Sequence, residues 1–380
     1  MAESSAAWSP EDNPPATAAL ATASQWRLMW WQFKKHRLAH ACLYIAAALY
    51  LVALLADFIA PKDPGATSTR HTYAPPQSVS LFMRDDDGLR FLPHVTDYRV
   101  TIEPQAVRRV FVADESKPIP IGLFVRTAPY EFLGVVTLSH RLIGPLEAGK
   151  PFYLLGADRL GRDMLSRVIH GARVSLSIGL VGVAVSLVLG VVFGGVSGYY
   201  GGAVDDVIQR VIEFLKALPT IPLWMGLAAA IPATWSPLTV YFAVTVLISL
   251  IGWTSLAREV RGRFLSLKTE DFVASARLDG APEMRVILRH MAPSFASHII
   301  ATLTLAIPSM ILAETALSFL GIGLRAPVIS WGVLLQEAQN VRAVASAPWL
   351  LLPGVAVVIT VLAMNFLGDG LRDAADPYGG

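Results

Sequence analysis

Apolar residues along this chain gather into six runs, at residues 38–60, 174–199, 215–231, 238–257, 298–320 and 349–366, with polar connections between them. A helix needs about 20 residues to cross a hydrocarbon core, roughly 17 at the least, and every run is long enough. Gly, Pro and Trp punctuate the runs, a pattern that helices in lipid tolerate. One buried helix of a soluble protein could imitate a single run, but hardly all of them. The pattern predicts an all-α membrane protein with six transmembrane helices.

The polar intervals divide the chain further. Residues 1–25 are rich in Ala, Ser, Pro and Thr without periodicity and are expected to form a disordered tail. Trp26, Trp30, Trp31 and Phe33 then precede Lys34, Lys35 and Arg37, an aromatic and basic approach to a membrane surface, so 26–60 is read as approach plus first span. A cleaved signal peptide competes for this run. Its basic residues lie far from Met1 and no A-x-A site follows, which favours a retained span. Residues 61–170 hold fourteen Lys/Arg against twelve Asp/Glu. There Tyr98–Val100–Ile102, Val110–Val112 and Ile119–Ile121–Leu123–Val125 alternate as half-buried strands do. A mixed or β-containing insert is predicted over 61–155, with 156–380 as the main transmembrane domain.

The longest polar interruption of the C-terminal half is residues 268–294, KTEDFVASARLDGAPEMRVILRHMAPS. Asp271 can cap a short helix that ends at Gly280. Pro282 suits the first turn of a second helix, carrying Met284, Ile287, Leu288 and Met291 and stopping before Pro293. The pattern fits a partner-docking helix pair and a solvated loop equally well.

Charge sets the orientation. With the N-terminus inside, the inner connections carry fourteen Lys/Arg, from Arg27 to Arg372, and the short outer loops only Arg325 and Arg342. The positive-inside rule then places both termini and 268–294 in the cytoplasm and the insert outside. Composition agrees: 54% of the 380 residues are hydrophobic and only 16% charged, at a mean hydropathy of +0.51, where soluble domains carry about 25% charged residues. A net charge of +2 gives no reason to invoke nucleic acid. The single cysteine, Cys42, excludes an intramolecular disulfide and a cysteine metal cluster.

Candidate chemistry is sparse. Gly144 to Lys150 fits the G-x-x-x-x-G-K frame of a phosphate loop, but Pro151 stands where the magnesium-binding hydroxyl belongs. No catalytic constellation, metal set or cofactor motif is present, so an enzyme is not expected. Gly190, Gly194 and Gly198 form a stripe on which another helix, of this chain or of a partner, can approach closely. Pro219, Pro222 and Pro308 interrupt runs and permit kinks. Residues 160–169 place Leu160, Met164, Leu165, Val168 and Ile169 on one face, predicting a helix lying in the outer interface. Glu314 is the one acidic residue well inside a run. It faces either a transport pathway or the bundle interior, and an ion-coupled secondary transporter using Glu314 is the alternative function.

With these placements made, the chain resembles the permease subunit of binding-protein-dependent ABC importers, in the oligopeptide/dipeptide C-type branch with a MetI-like transmembrane domain. Residues 272–281 (FVASARLDGA) are similar to the family's E-A-A-x-x-x-G signature, and Arg289 to Pro293 to its closing proline. Residues 155–173 resemble that branch's L-G-T-D-x-x-G-R-D-x-x-S-R…G-A-R, while 318–323 and 368–377 match two further segments. Here Ala274 replaces the signature glutamate, Ser275 its first alanine, and Asp279 an apolar residue. The resemblance implies a subunit of the bacterial inner membrane that forms half of a pathway for peptides or similar solutes. Its partners would be membrane lipid, a homologous second permease, two cytoplasmic ABC ATPases and an extracytoplasmic solute-binding protein. It also implies ATPase coupling through Ala274, Ser275, Ala276, Gly280, Ala281, Met284, Ile287 and Pro293.

Overall fold

A computed structural model describes residues 25–375, apart from 86–87, 104–107 and 233. The expected tail at 1–25 therefore lies almost wholly outside the described residues, as do Asp376 and Pro377. The fold is mostly helical with one small sheet. The aromatic and basic approach forms α1 (Gln25–Lys35), and the first apolar run forms α2 (Arg37–Leu54) and the short α3 (Ala56–Ile59).

The insert is a four-stranded antiparallel sheet in the order β1 (Val79–Asp85), β2 (Gly88–Glu103), β3 (Arg108–Phe132) and β4 (Val136–Pro145). The alternating segments of the sequence fall inside β2 and β3. β3 is long because its first half pairs with β2 and its second half with β4. Val95, Ile119 and Phe152 form one small core beneath it, and Ala74, Tyr153 and Ala157 another.

α4 (Met164–Tyr200) spans the length of the bundle, its start by the insert and its end at the opposite pole. Asp163 caps it, the carboxylate accepting the Ser166 N–H at 2.8 Å. This overturns the expected interfacial helix at 160–169. Leu160 sits in a turn, Met164 is buried in the first turn of the span, and Arg167 is buried against Asp158 rather than reaching headgroups.

The run at 215–231 also departs from expectation. α5 (Gly202–Ala217) and α6 (Thr220–Ala229) meet at a bend of 87° around Leu218 and Pro219. Pro219 has no N–H to continue α5, and the residue before a proline is driven to extended backbone, which Leu218 adopts. α7 (Pro237–Leu267) begins with Ser236 as its cap and Pro237 in its first turn. α8 (Asp271–Leu278), α9 (Glu283–Arg285) and α10 (Ala292–Ser294) follow. Next come α11 (Ala296–Phe319), α12 (Trp331–Gln336), α13 (Val341–Ser346) and α14 (Leu352–Ala375). Among the described residues five helical stretches are long and apolar enough to cross a membrane, and the bent α5–α6 pair would make a sixth. Pro308 is accommodated inside α11 without ending it.

The glycine stripe settles within the chain. A Cβ on Gly194 would lie 2.5 Å from Ala257 O of α7, and one on Gly198 would lie 2.8 Å from Arg261 O. Gly190 is covered by the Leu256 side chain instead, so α4 and α7 approach backbone to backbone at Gly194 and Gly198. Gly194→Leu should therefore cost about 1–3 kcal/mol or more through overpacking, read as a fall in melting temperature in detergent. Gly262→Ala on α7, where nothing lies within 4 Å, should be neutral or slightly stabilising. Equal melting of both variants would show that this contact does not hold the bundle.

Candidate functional site

The connection between α7 and α11 is a helix pair folded against the end of α4. α8 starts at Asp271, with Glu270 rather than Asp271 at the cap position and no side-chain bond there. Val273 and Ala276 face inward. Gly280 takes φ of +74°, a left-handed turn that glycine adopts without strain, and the Ala281 N–H closes it on Ala276 O at 3.1 Å. Pro282 then caps α9, and the helix widens into a π-helix over Val286–Met291 before α10. Pro293 does not stop this helix as expected but lies within α10, and the break comes at Phe295. Its missing N–H leaves the carbonyl four residues back without the usual partner, and the Ala292 N–H bonds Ile287 O, five residues back.

The inner face of the pair joins one core with Tyr199, Leu256, Val260 and Phe264 through Val273, Val286, Ile287 and Met291. Phe295 packs edge-on to Phe264 with ring centres 5.7 Å apart. Polar contacts lock the same seam. Arg277 lies 4.7 Å over the Tyr199 ring and donates to its hydroxyl at 3.2 Å, and Tyr200 donates to the Glu283 carboxylate. Beside it Asp205 of α5 accepts both arms of Arg261 from α7 and the Ser197 hydroxyl from α4, tying three helices together.

The outer face is bare. Phe272, Leu278, Met284 and Leu288 are exposed large apolar side chains, Leu278 to 89%. Ala274, Ser275, Gly280 and Pro293 are exposed with them and Ala281 partly so. Two residues expected at this surface are not there. Ala276 and Ile287 are buried against α4 and α7, because a helical turn that shows Ser275 and Leu288 outward carries their neighbours inward. Phe272, Leu278 and Leu288 take their place. Leu288 was visible in the helical pattern, but whether a face points to the bundle or away from it is a tertiary fact.

At the other pole several buried or half-buried polar groups are engaged in structure. Glu314 is fully buried and accepts hydroxyls from Ser175 at 3.2 Å, Ser318 at 2.8 Å and Ser330 at 2.7 Å. Those hydroxyls in turn accept the backbone N–H groups of Trp331, Leu324 and Val333. Glu314 thus pins the segment after α11 onto α4, in the bundle interior. Asp57, just past α2, accepts Arg173 at 2.9 Å, His170 at 3.1 Å and the Leu133 N–H at 3.1 Å. Burial works against its charged form, but the Arg173 contacts prevail and hold its carboxyl below the ordinary value. Asp158 gathers Arg162 at 2.6 Å and Arg167. Lys62 lies 3.7 Å over the Tyr153 ring, and burial pushes its ammonium down to about 8 although Asp163 opposes the shift. Sequence reasoning missed this network, whose one signal was the density of charge in 155–173 directly before an apolar run. The phosphate-loop frame at 144–150 ends β4 and runs into a turn with no helix to bind an anion.

Residues 190–378 match the model of the family described as binding-protein-dependent transport system inner membrane component. Residues 24–76 match the N-terminal TM domain of oligopeptide transport permease C. The oligopeptide transport system permease protein OppC of Haemophilus influenzae is 35% identical over 259 residues, 68% of this chain and 81% of that protein. The dipeptide transport system permease protein DppC of Bacillus subtilis is 38% identical over 224 residues, covering 58% and 68%. A chain of the MetNI methionine ABC transporter, in an inward-facing conformation, aligns with a TM-score of 0.43 and 17% identity. That alignment covers 56% of this chain and 98% of the other.

Two outcomes follow from the buried groups. Glu314→Ala leaves three hydroxyls short of an acceptor, at about 1–3 kcal/mol for each one unpaired, while Glu314→Gln keeps a carbonyl acceptor. Melting in detergent should fall steeply for the first and mildly for the second. A stable Glu314→Ala protein that fails only in transport would show a pathway role instead. Lys62 has a folded-state pKa of about 8 against an ordinary 10.5, so between those values the unfolded chain binds more protons and stability rises with pH. The melting temperature should climb from pH 7.5 to 9 more in the parent protein than in Lys62→Met. Identical slopes would show that Lys62 is not held buried.

Proposed function

The chain belongs to the family of binding-protein-dependent transport system inner membrane components, in its oligopeptide and dipeptide permease branch, and from that premise we propose a division of labour for it. It is a multi-pass membrane protein that forms half of the pathway of an ATP-driven importer for peptides or similar solutes. A second, homologous permease supplies the other half, an extracytoplasmic binding protein delivers solute, and two cytoplasmic ATPases supply the work. The proposed topology has six spans in the bacterial inner membrane with both termini in the cytoplasm, the α5–α6 pair acting as the bent third span. Residues 26–60 carry the first span, 61–155 the extracytoplasmic insert, and 156–380 the permease domain with its coupling pair at 268–294.

One observation carries the coupling role: the α8–α9 pair is rigidly joined to α4 and α7 on one face and bare and apolar on the other. The exposed side chains of Phe272, Leu278, Met284 and Leu288 are what a partner groove would cover. Because the inner face shares a core with α4 and α7, a rotation of the docked partner passes to the spans as a lever. Ala274 leaves no carboxylate for a polar bond at its position, so this interface rests on apolar contact. Glu314 tells against the ion-coupled alternative, since its oxygens serve Ser175, Ser318 and Ser330.

Met284→Asp and Leu288→Asp, both exposed, should leave the melting temperature nearly unchanged, within about 0.5 kcal/mol. Each should sharply reduce recovery of the ATPase with the purified permease and ATP-dependent peptide uptake in vesicles. Full ATPase recovery and uptake in the double variant would refute coupling through this face. Uptake that persists without ATP and follows an ion gradient would reject the importer itself.

A further inference from the structure

The sheet spans residues 79–145 and lies outside both segments that the family models match. Its β3–β4 hairpin turns through Leu133 and Gly134, with φ of +52° and +69°, closed by the Val135 N–H on Phe132 O at 3.1 Å. Positive φ at both central positions ordinarily selects Asn-Gly or Asp-Gly. A leucine there holds a branched apolar side chain in the left-handed region at the tip of a hairpin. Leu133, Val135 and Val136 are all exposed, Val135 to 84%. Phe124, a second residue at positive φ, is exposed beside Leu123, with its ring centre 6.0 Å from that of Phe58.

The position of this tip is fixed against the first span. The Leu133 N–H donates to Asp57, and Arg141 of β4 donates to the carbonyls of Asp57, Ala60 and Lys62, closing the end of α3. α2 has 18 residues, about 27 Å of helix, which matches a hydrocarbon core of about 30 Å. Asp57 follows directly and sits where hydrocarbon gives way to headgroups. Leu51 and Leu54, at the end of α2, are exposed toward the same boundary. The bare tip is therefore continuous with the lipid-facing surface of the first span.

We propose that the β3–β4 hairpin dips Leu133, Val135 and Val136 into the outer leaflet, so that the insert rests on the lipid surface beside the first span. A lipid surface accepts a small apolar tip flanked by polar strands, because the tip leaves water while the backbone of the strands stays paired. The inference needs only that α2 crosses the bilayer, and it stands or falls separately from the importer reading.

The test labels Val135→Cys in the full chain with an environment-sensitive fluorophore. The buried Cys42 should leave the parent protein unlabelled. In phosphatidylcholine–phosphatidylglycerol vesicles, doxyl lipids should quench this label about threefold or more above a Glu115→Cys label on the upper part of β3, and aqueous iodide should show the reverse order. Val136→Cys serves the same purpose if the first variant folds poorly. Equal iodide access at both positions would overturn the proposal. So would protection of the tip that develops only when the second permease or the binding protein is added, because the occupant would then be protein.

Discussion

The close approach of α4 to α7 is the constraint on which the remaining structure depends. Within lipid, apolar side chains gain little by meeting one another rather than hydrocarbon, so helices associate through tight packing and hydrogen bonds. Gly190, Gly194 and Gly198 provide the packing by letting the α7 backbone lie against α4. Once those helices are in contact, their common end forms the platform of Tyr199, Leu256, Val260 and Phe264 on which the α8–α9 pair is built. A side chain at any of the three glycines would tilt that platform.

Polar groups then determine what packing leaves open. Apolar surfaces slide at small cost, whereas a buried carboxylate holds its donors at fixed distances. Three carboxylates act in this way at separate places. Asp205 ties α4, α5 and α7 below the platform, Glu314 binds the segment after α11 to α4, and Asp57 joins the end of the first span to α4 and to the insert. The chain therefore has rigid joints at both poles of α4. That rigidity is what would let a push on the α8–α9 pair move spans rather than a loop.

The same economy bears on the two bare apolar surfaces, which lie at opposite poles. Phe272, Leu278, Met284 and Leu288 stand out from a pair whose every inward residue is packed. Leu133, Val135 and Val136 stand out from a hairpin whose two strands pair with each other on either side of a register shift between Arg126 and Tyr130. In each case the exposed groups are free to meet an environment outside the chain, the proposed ones being protein at one pole and lipid at the other.

The sequence by itself determined the membrane character, parts of two strands of the insert, the helix break at Gly280 and the small-residue stripe, because each follows from a local period or a single backbone preference. The resemblance rested on the same local features and was correct as to family. Tertiary structure decided what those periods leave ambiguous. It bent the run at 215–231 through Pro219, carried the helix past a π-turn and on through Pro293, and turned Ala276 and Ile287 into the core while leaving Phe272 and Leu278 outside. It also placed Glu314 among serines from three separate segments. Helical periodicity says that a face exists and how its residues are spaced. Which neighbour that face meets depends on contacts between residues far apart in the chain, and no local pattern encodes those.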